Sequence, residues 1–247
     1  MIYKKLKLII IPLLILLLIA CSNKKEEIKE NQTTIWYEQE TLPTIEIETT
    51  TDTYVKINVD PILQYPELPT GCEITCLTML LNYHGYDVDK VDLVNNYMLY
   101  RTSEYPVGFG GSPFSSNGSL MWPPAMVDIA NNFLLDNNDE RKAQDKTGLT
   151  LDLLFDYLKE GIPIAVWVNE TFSTYMNYDG NEAHYNGYIY RSYWGEHCII
   201  LKGYDLEKNI VYINNPQRGE ETVNLTLFEE VYNACGKYAV LIDILRY

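Results

Sequence analysis

The sequence predicts an α+β fold in which one apolar helix packs on an antiparallel sheet, and three observations carry that expectation. A cysteine opens a helix in Thr70-Gly71-Cys72-Glu73-Ile74-Thr75-Cys76-Leu77. Far downstream, a histidine opens an apolar strand in Gly195-Glu196-His197-Cys198-Ile199-Ile200-Leu201. The next strand, Val211-Tyr212-Ile213-Asn214-Asn215, is stopped by Pro216. A helix early in the chain and strands late in it put a rigid element under each of these chemically versatile residues.

Taken in order, the first element is an address. Lys4, Lys5 and Lys7 precede an apolar run from Leu8 to Ile19, which ends in Leu18-Ile19-Ala20-Cys21. About a dozen apolar residues make a secretory signal, since a spanning helix needs roughly 20. The cysteine at the cleavage point resembles a bacterial lipobox. It implies removal of residues 1–20 and lipidation of Cys21, which anchors a protein without spanning the bilayer. Ser22 leaves the choice of membrane open. Residues 21–53 come next, and Ser22 to Thr53 holds eight Thr, eight acidic residues and three Lys. Such a segment buries too little apolar surface to offset its ordering entropy, so it is expected to be a flexible stalk.

Residues 54–247 are long enough for one domain with a real core. Apolar Leu77, Leu80 and Leu81 define a helix from Cys72 to Tyr83, with Gly85 as its left-handed cap. A second helix is expected from Lys90 to Met98. Pro123-Pro124 start a third, running to Leu134. Thr150 caps a fourth, which ends at Lys159 before Gly161-Ile162-Pro163. Ile164 to Val168 reads as a buried strand, and His197–Leu201, Ile210–Asn214 and Tyr238–Ile244 read as further strands. Thr226-Leu227-Phe228-Glu229 has the spacing of a capping box for a last short helix.

Charge limits the partners. The chain carries a formal charge of −15, and loss of the three signal lysines leaves about −18. A polyanion repels nucleic acid and anionic lipid, so DNA and RNA are not expected as partners, and the membrane is expected as one only through lipidated Cys21. No His/Cys/Asp cluster has zinc spacing, and Asp136 to Asp145 does not match a calcium loop, so no metal or other cofactor is expected.

The chemistry centres on Cys72. A thiol at a helix N-terminus meets the positive end of the helix dipole, which is expected to lower its pKa. Gly71 is expected to let backbone approach a substrate. Three histidines are present. His84 ends the Cys72 helix, roughly 18 Å from its start by rise per residue. His184 sits in a polar stretch with no strand to fix it. That leaves His197 as the base that takes the thiol proton and returns it to a leaving amine. Asn215 would orient the imidazole through Nδ1. Asn214 is its rival, because alternate side chains of a strand face opposite sides. Gln64 is a candidate oxyanion donor beside the Cys72 N–H. Cys76, Cys198 and Cys235 read as core thiols, and an i,i+4 pair such as Cys72 and Cys76 is poorly placed for a disulfide. Asn177 to Trp194 is dense in aromatics and runs into His197. Tyr193 and Trp194 are candidates to line a groove for peptide or glycan, and an aromatic-rich hairpin packed on itself is the other reading of the stretch.

Cys, His and Asn in that chain order resemble the papain-type thiol hydrolases. More specifically, Gly71-Cys72-Glu73-Ile74-Thr75 and His197-Cys198-Ile199-Ile200-Leu201-Lys202-Gly203-Tyr204-Asp205 resemble the peptidases that process bacteriocin leaders, in their stand-alone bacterial branch. The similar stretches are Gln64–Tyr86, Gly108–Leu134, Gly148–Thr171 and Gly195–Gly219. The resemblance implies a papain-like fold, a triad of Cys72, His197 and the residue before Pro216, and a glutamine for the oxyanion. Two departures stand out: the family usually has Asp where Asn215 stands, and usually Ser where Cys76 stands.

The expected function is therefore a lipid-anchored extracytoplasmic cysteine peptidase or amidase, monomeric and acting on peptide or peptide-like substrates. The same Cys-His pair fits an acyltransferase. A catalytically silent module that binds peptide or cell-wall material through the same groove is the alternative outside enzymes.

Overall fold

In a computed structural model the described residues are 47–51 and 53–244, with side chains from 53 onward. Residues 1–46, which include the expected signal, Cys21 and most of the expected stalk, lie outside them.

Among the described residues, ten strands and five helices follow one another. Strands β1 (Ile47–Thr51) and β2 (Tyr54–Ile57) precede helices α1 (Cys72–Tyr83), α2 (Lys90–Tyr97) and α3 (Pro123–Asp136). Then come β3 (Lys142–Asp145), α4 (Leu151–Lys159), β4 (Ile164–Asn169), β5 (Tyr178–Tyr185) and β6 (Tyr188–Tyr193). The chain finishes with β7 (Glu196–Asp205), β8 (Ile210–Asn215), β9 (Gly219–Asn224), α5 (Leu225–Ala234) and β10 (Ala239–Asp243). Eight strands form one antiparallel sheet, ordered β1-β2-β7-β4-β10-β3, with β8 on β7 and β9 on β8. β5 and β6 form a separate hairpin.

Each expected helix forms, with adjusted ends. Asp89 caps α2 by accepting from the N–H groups of Val91 and Asp92, which satisfies two orphan donors of the first turn. Thr150 is the N-cap of α4 but makes no side-chain cap bond. The expected capping box at Thr226 is not used. Asn224 caps α5 by accepting from Leu227 N, two residues earlier than the Thr-Glu spacing suggested. Ile47–Thr51, inside the segment read as stalk, pairs with β2 as an edge strand.

β7 organises the sheet. Its first half, Glu196–Leu201, pairs with β4, and Gly203–Asp205 pairs with β2. β8 runs along it from Ile200 to Asp205. Every residue of β4 is buried, as is β7 from His197 onward, because α1, α4 and α5 cover this region. Gly203 stands where β2 crosses closest: a Cβ there would sit 2.2 Å from the Val55 carbonyl oxygen. No backbone atom can yield that much without breaking the ladder. Gly203→Ala is therefore expected to destabilise the fold by about 2 kcal/mol or more, at the upper end of overpacking costs. A urea unfolding midpoint unchanged from wild type would contradict this.

Candidate active site

Cys72 is the first residue of α1 and is 7% exposed. The turn before it is pinned from several sides. Gly71 N donates to Leu68 O, and Thr70 Oγ1 donates to Ser115 O at 2.9 Å. Gly71 was expected to open the site to substrate. Instead it is buried, and a Cβ there would lie 2.7 Å from Leu68 Cβ. Its missing side chain serves the packing of the turn and leaves no surface for a groove.

The thiol is not the low-pKa thiol that its helix position suggested. It is pushed well above the ordinary cysteine value, first by burial and then by the carboxyls of Glu73 and Glu196, with only the Cys198 N–H working the other way among the larger effects. The magnitudes explain the outcome. A helix dipole is worth about 0.3–1 kcal/mol, under one pKa unit. Full burial shifts a group by up to several units. The thiol's hydrogen-bond partner is Glu73, whose Oε2 lies 3.2 Å from Cys72 Sγ.

His197 lies near the start of β7 and is almost fully buried. Its Nε2 is 2.9 Å from Asn215 Oδ1. Register produces this pairing. Ile200 pairs with Asn214, so Asn215 lies opposite Ile199 and on the same face as His197. Asn214 faces the other way and donates through Nδ2 to Val59 O at 2.7 Å. The choice between the two asparagines is thereby made: Asn215 meets the imidazole. The contact is to Nε2, whereas Nδ1 was expected. Asn215's amide is fixed at both ends, because Oδ1 also accepts from Gln217 N at 2.9 Å and Nδ2 donates to Glu221 Oε2 at 2.9 Å. An acceptor oxygen facing Nε2 makes that nitrogen the N–H donor, so Nδ1 of the neutral ring carries the lone pair. Burial lowers the His197 pKa, and the bond to Asn215 opposes that shift.

Gln64 is buried, and its backbone N–H donates to Pro216 O at 2.7 Å. That bond ties the segment before the nucleophile to the residue after Asn215. Its side-chain Nε2 donates to Pro69 O at 2.8 Å, which leaves one N–H of the amide uncommitted.

The other candidates separate clearly. Trp194 is 68% exposed, but Tyr193 is buried, with its hydroxyl donating to Val168 O at 3.3 Å. Tyr193 is a core residue and offers no face to a groove. Trp194 lies one residue past the end of β6, where the chain leaves the hairpin. His184 is on a strand, β5, contrary to expectation; its exposed ring meets Glu182 Oε1 at 2.8 Å. His84 is held to about 4 by burial, against Ile242 O at 3.1 Å. Cys76, Cys198 and Cys235 are buried free thiols. Among the described residues no group of three or more His, Cys, Asp or Glu could hold a metal ion.

Two carboxyls at the site were not anticipated. Glu73 is buried, with Oε1 accepting from Met121 N at 2.9 Å and Oε2 facing the thiol. Burial raises it to about 7. Glu196, next to His197, is raised well above the carboxylate range by burial and by Glu73, and its Oε1 is buried with no partner among the described residues. In sequence, an acid in the first turn of a helix reads as a dipole-matching surface residue, and an acid at a strand's start reads as a solvated end. Adjacency to Cys72 and His197 was the available signal.

With this geometry in hand, known proteins can be compared. Residues 56–240 match the model of the Peptidase_C39 like family. The chain belongs to that family. The Bacillus subtilis (strain 168) protein YvpB is 30% identical over 187 residues, covering 72% of this chain and 71% of YvpB. A crystal structure from Bacillus anthracis, described as a C39-like peptidase, superposes with a TM-score of 0.63 at 29% identity, covering 77% of this chain and 96% of that one. The papain-like cysteine peptidase fold expected from the sequence is thus the fold of this family member.

Proposed function

We propose that this protein is a cysteine peptidase or amidase, anchored by lipid at Cys21 on the outer side of a bacterial membrane. The observation that carries the catalytic part is the 2.9 Å contact of His197 Nε2 with Asn215 Oδ1, in a member of a peptidase family whose nucleophile candidate opens the neighbouring helix.

The chemistry follows from the residues. As substrate arrives, the Cys72 thiol gives its proton to His197 Nδ1. The thiolate sulfur then bonds to the scissile carbonyl carbon. The developing oxyanion is received by the Cys72 N–H, an orphan donor of the first helical turn, and by the uncommitted N–H of Gln64. Imidazolium protonates the leaving amine as the C–N bond breaks. Water, giving a proton to His197, then attacks the thioester carbonyl; the C–S bond breaks, the acid leaves, and the imidazolium returns its proton to the Cys72 sulfur. Asn215 accepts from Nε2–H in both the neutral ring and the imidazolium, and so fixes the Nε2–H tautomer whenever the ring is neutral. Trp194 is the exposed aromatic beside the site that a peptide would meet.

A digest of a peptide library by wild type and by Cys72→Ala tests the catalytic reading. Cleavage by wild type alone supports it. Products from neither would leave a binding module as the better account, and equal products from both would show that Cys72 is not the nucleophile. For the anchor, Cys21→Ala is expected to move the protein from the membrane fraction to the medium or to an unprocessed precursor. A variant that still carried lipid and sedimented with membrane would refute the lipobox reading.

A further inference from the structure

The buried acid next to the nucleophile has no part in the chemistry above, yet it is the thiol's own hydrogen-bond partner. We propose that Glu73 is a positioning residue that latches the Cys72 S–H in the resting enzyme and keeps it a neutral thiol until substrate arrives. The proposal rests on Cys72 being the nucleophile.

The geometry is specific. Glu73 Oε1 is pinned by Met121 N at 2.9 Å, so Oε2 is held 3.2 Å from Sγ. Once ionised, Glu73 can only accept at that point, so the shared hydrogen is then the thiol's. The groups around this pair are few. Glu196 and the Cys198 thiol come from β7, Cys76 lies one turn along α1, and Arg101 approaches Glu73 from the α2–α3 connection. Arg101 is largely occupied, donating to Gly108 O at 3.1 Å and Leu120 O at 2.7 Å while its guanidinium lies over the Trp122 ring. Its charge still reaches Glu73 through space and lowers that carboxyl's pKa, but by less than burial raises it. Thiolate and carboxylate side by side in this buried setting repel each other strongly. The resting site avoids that pair by leaving the proton on sulfur.

A latch of this kind has two effects. It holds the proton on the nucleophile between turnovers, and a neutral thiol is a poor target for oxidants, which matters outside the reducing cytosol. It also makes thiolate formation a step coupled to substrate binding. The proton moves from Sγ to His197 Nδ1 in that step, and no other reactant is required.

The test reads Cys72 alkylation by iodoacetamide, peptide by peptide in a mass spectrometer, from pH 5 to 10, and so is independent of peptidase activity. Because Glu73 titrates near 7, the wild-type logarithmic rate is expected to rise with pH, flatten as Glu73 ionises and opposes the thiolate, and rise again. Glu73→Gln keeps an acceptor for Met121 N and removes the charge. It should abolish the flat region and speed alkylation at pH 8 by about tenfold, one pKa unit's worth. His197→Ala should keep the flat region. A wild-type profile with a single slope, or a flat region that persists in a folded Glu73→Gln, overturns the proposal. If Glu73→Gln fails to fold by circular dichroism, the wild-type and His197→Ala profiles decide the matter. Peptide cleavage that fails in wild type while the profile behaves as described would sink the peptidase reading and leave the latch standing.

Discussion

Cys72→Ala is expected to lower turnover of any cleaved peptide by about a thousandfold or more while leaving the fold intact. The loss is large because nucleophile and base act as a unit, so removing one removes covalent catalysis altogether. Structural cost is small by comparison. The sulfur leaves a small space at the first position of a helix, and Glu73 loses one hydrogen bond but keeps Met121 N. His197→Ala should cost a similar factor, whereas His184→Ala should change little, since that ring is exposed and bonded only to Glu182. The pH dependence has a definite sign. Burial lowers the His197 pKa, so the ring stays a neutral base to more acid pH than an ordinary histidine would. The acid limb of turnover that reports the base should therefore fall below about 6.5. A base limb at that position, or equal losses in His184→Ala and His197→Ala, would show the base to be misassigned.

The second large effect is at Asn215. Its alanine variant is expected to reduce turnover by about ten- to a hundredfold, as loss of a group that orients a reacting side chain does. Without Oδ1 the imidazole loses its only hydrogen-bond partner among the described residues and, with it, the preference for the Nε2–H tautomer. Stability should fall too, because Gln217 N and Glu221 Oε2 lose a partner. The two effects separate in Asn215→Asp. A carboxylate keeps an acceptor for Nε2 and adds a negative charge, so turnover should persist and the His197 pKa should rise. Asn214→Ala removes the bond to Val59 O and should cost about 1 kcal/mol of stability with catalysis nearly unchanged. Kinetic loss in Asn214→Ala together with an indifferent Asn215→Ala would reverse the assignment.

Much of this was legible in the sequence, and the limits have physical causes. Cys72 at a helix start and His197 on a strand were readable because long apolar runs announce their elements. Asn214 and Asn215 were not separable, since a period of two needs a register and the register is set by β7, which the local sequence does not contain. β3, with the sequence Lys-Ala-Gln-Asp, and β9, exposed at every second residue, were missed because edge strands carry few apolar positions. For Asn177 to Trp194 the sequence offered both a groove lining and a hairpin packed on itself, and Asp179, Gly180 and Asn181, which read as loop, left the two undivided; the stretch folds as the β5–β6 hairpin. Glu73 was misjudged for a different reason. Whether a first-turn acid is solvated or buried depends on what packs over it, here the segment at Met121, and no periodicity reports that.

The β5–β6 hairpin has one more property. Asn169 of β4 pairs directly with Glu196 of β7, and Glu170 N donates to Gly195 O at 2.8 Å, so everything from 170 to 195 leaves and re-enters the sheet at a single gate. Its inward side is stitched down, with Tyr190 bonded to Asp145 and Tyr193 to Val168. Its outward side, with Tyr188, Ile189, His184 and Trp194, is exposed. A few buried anchors, Ala183, Tyr190, Ser192 and Tyr193, thus hold a ribbon that is otherwise mostly exposed. The buried positions answer to the fold and the exposed ones to solvent, so the outward surface of the hairpin can be rebuilt without moving the imidazole.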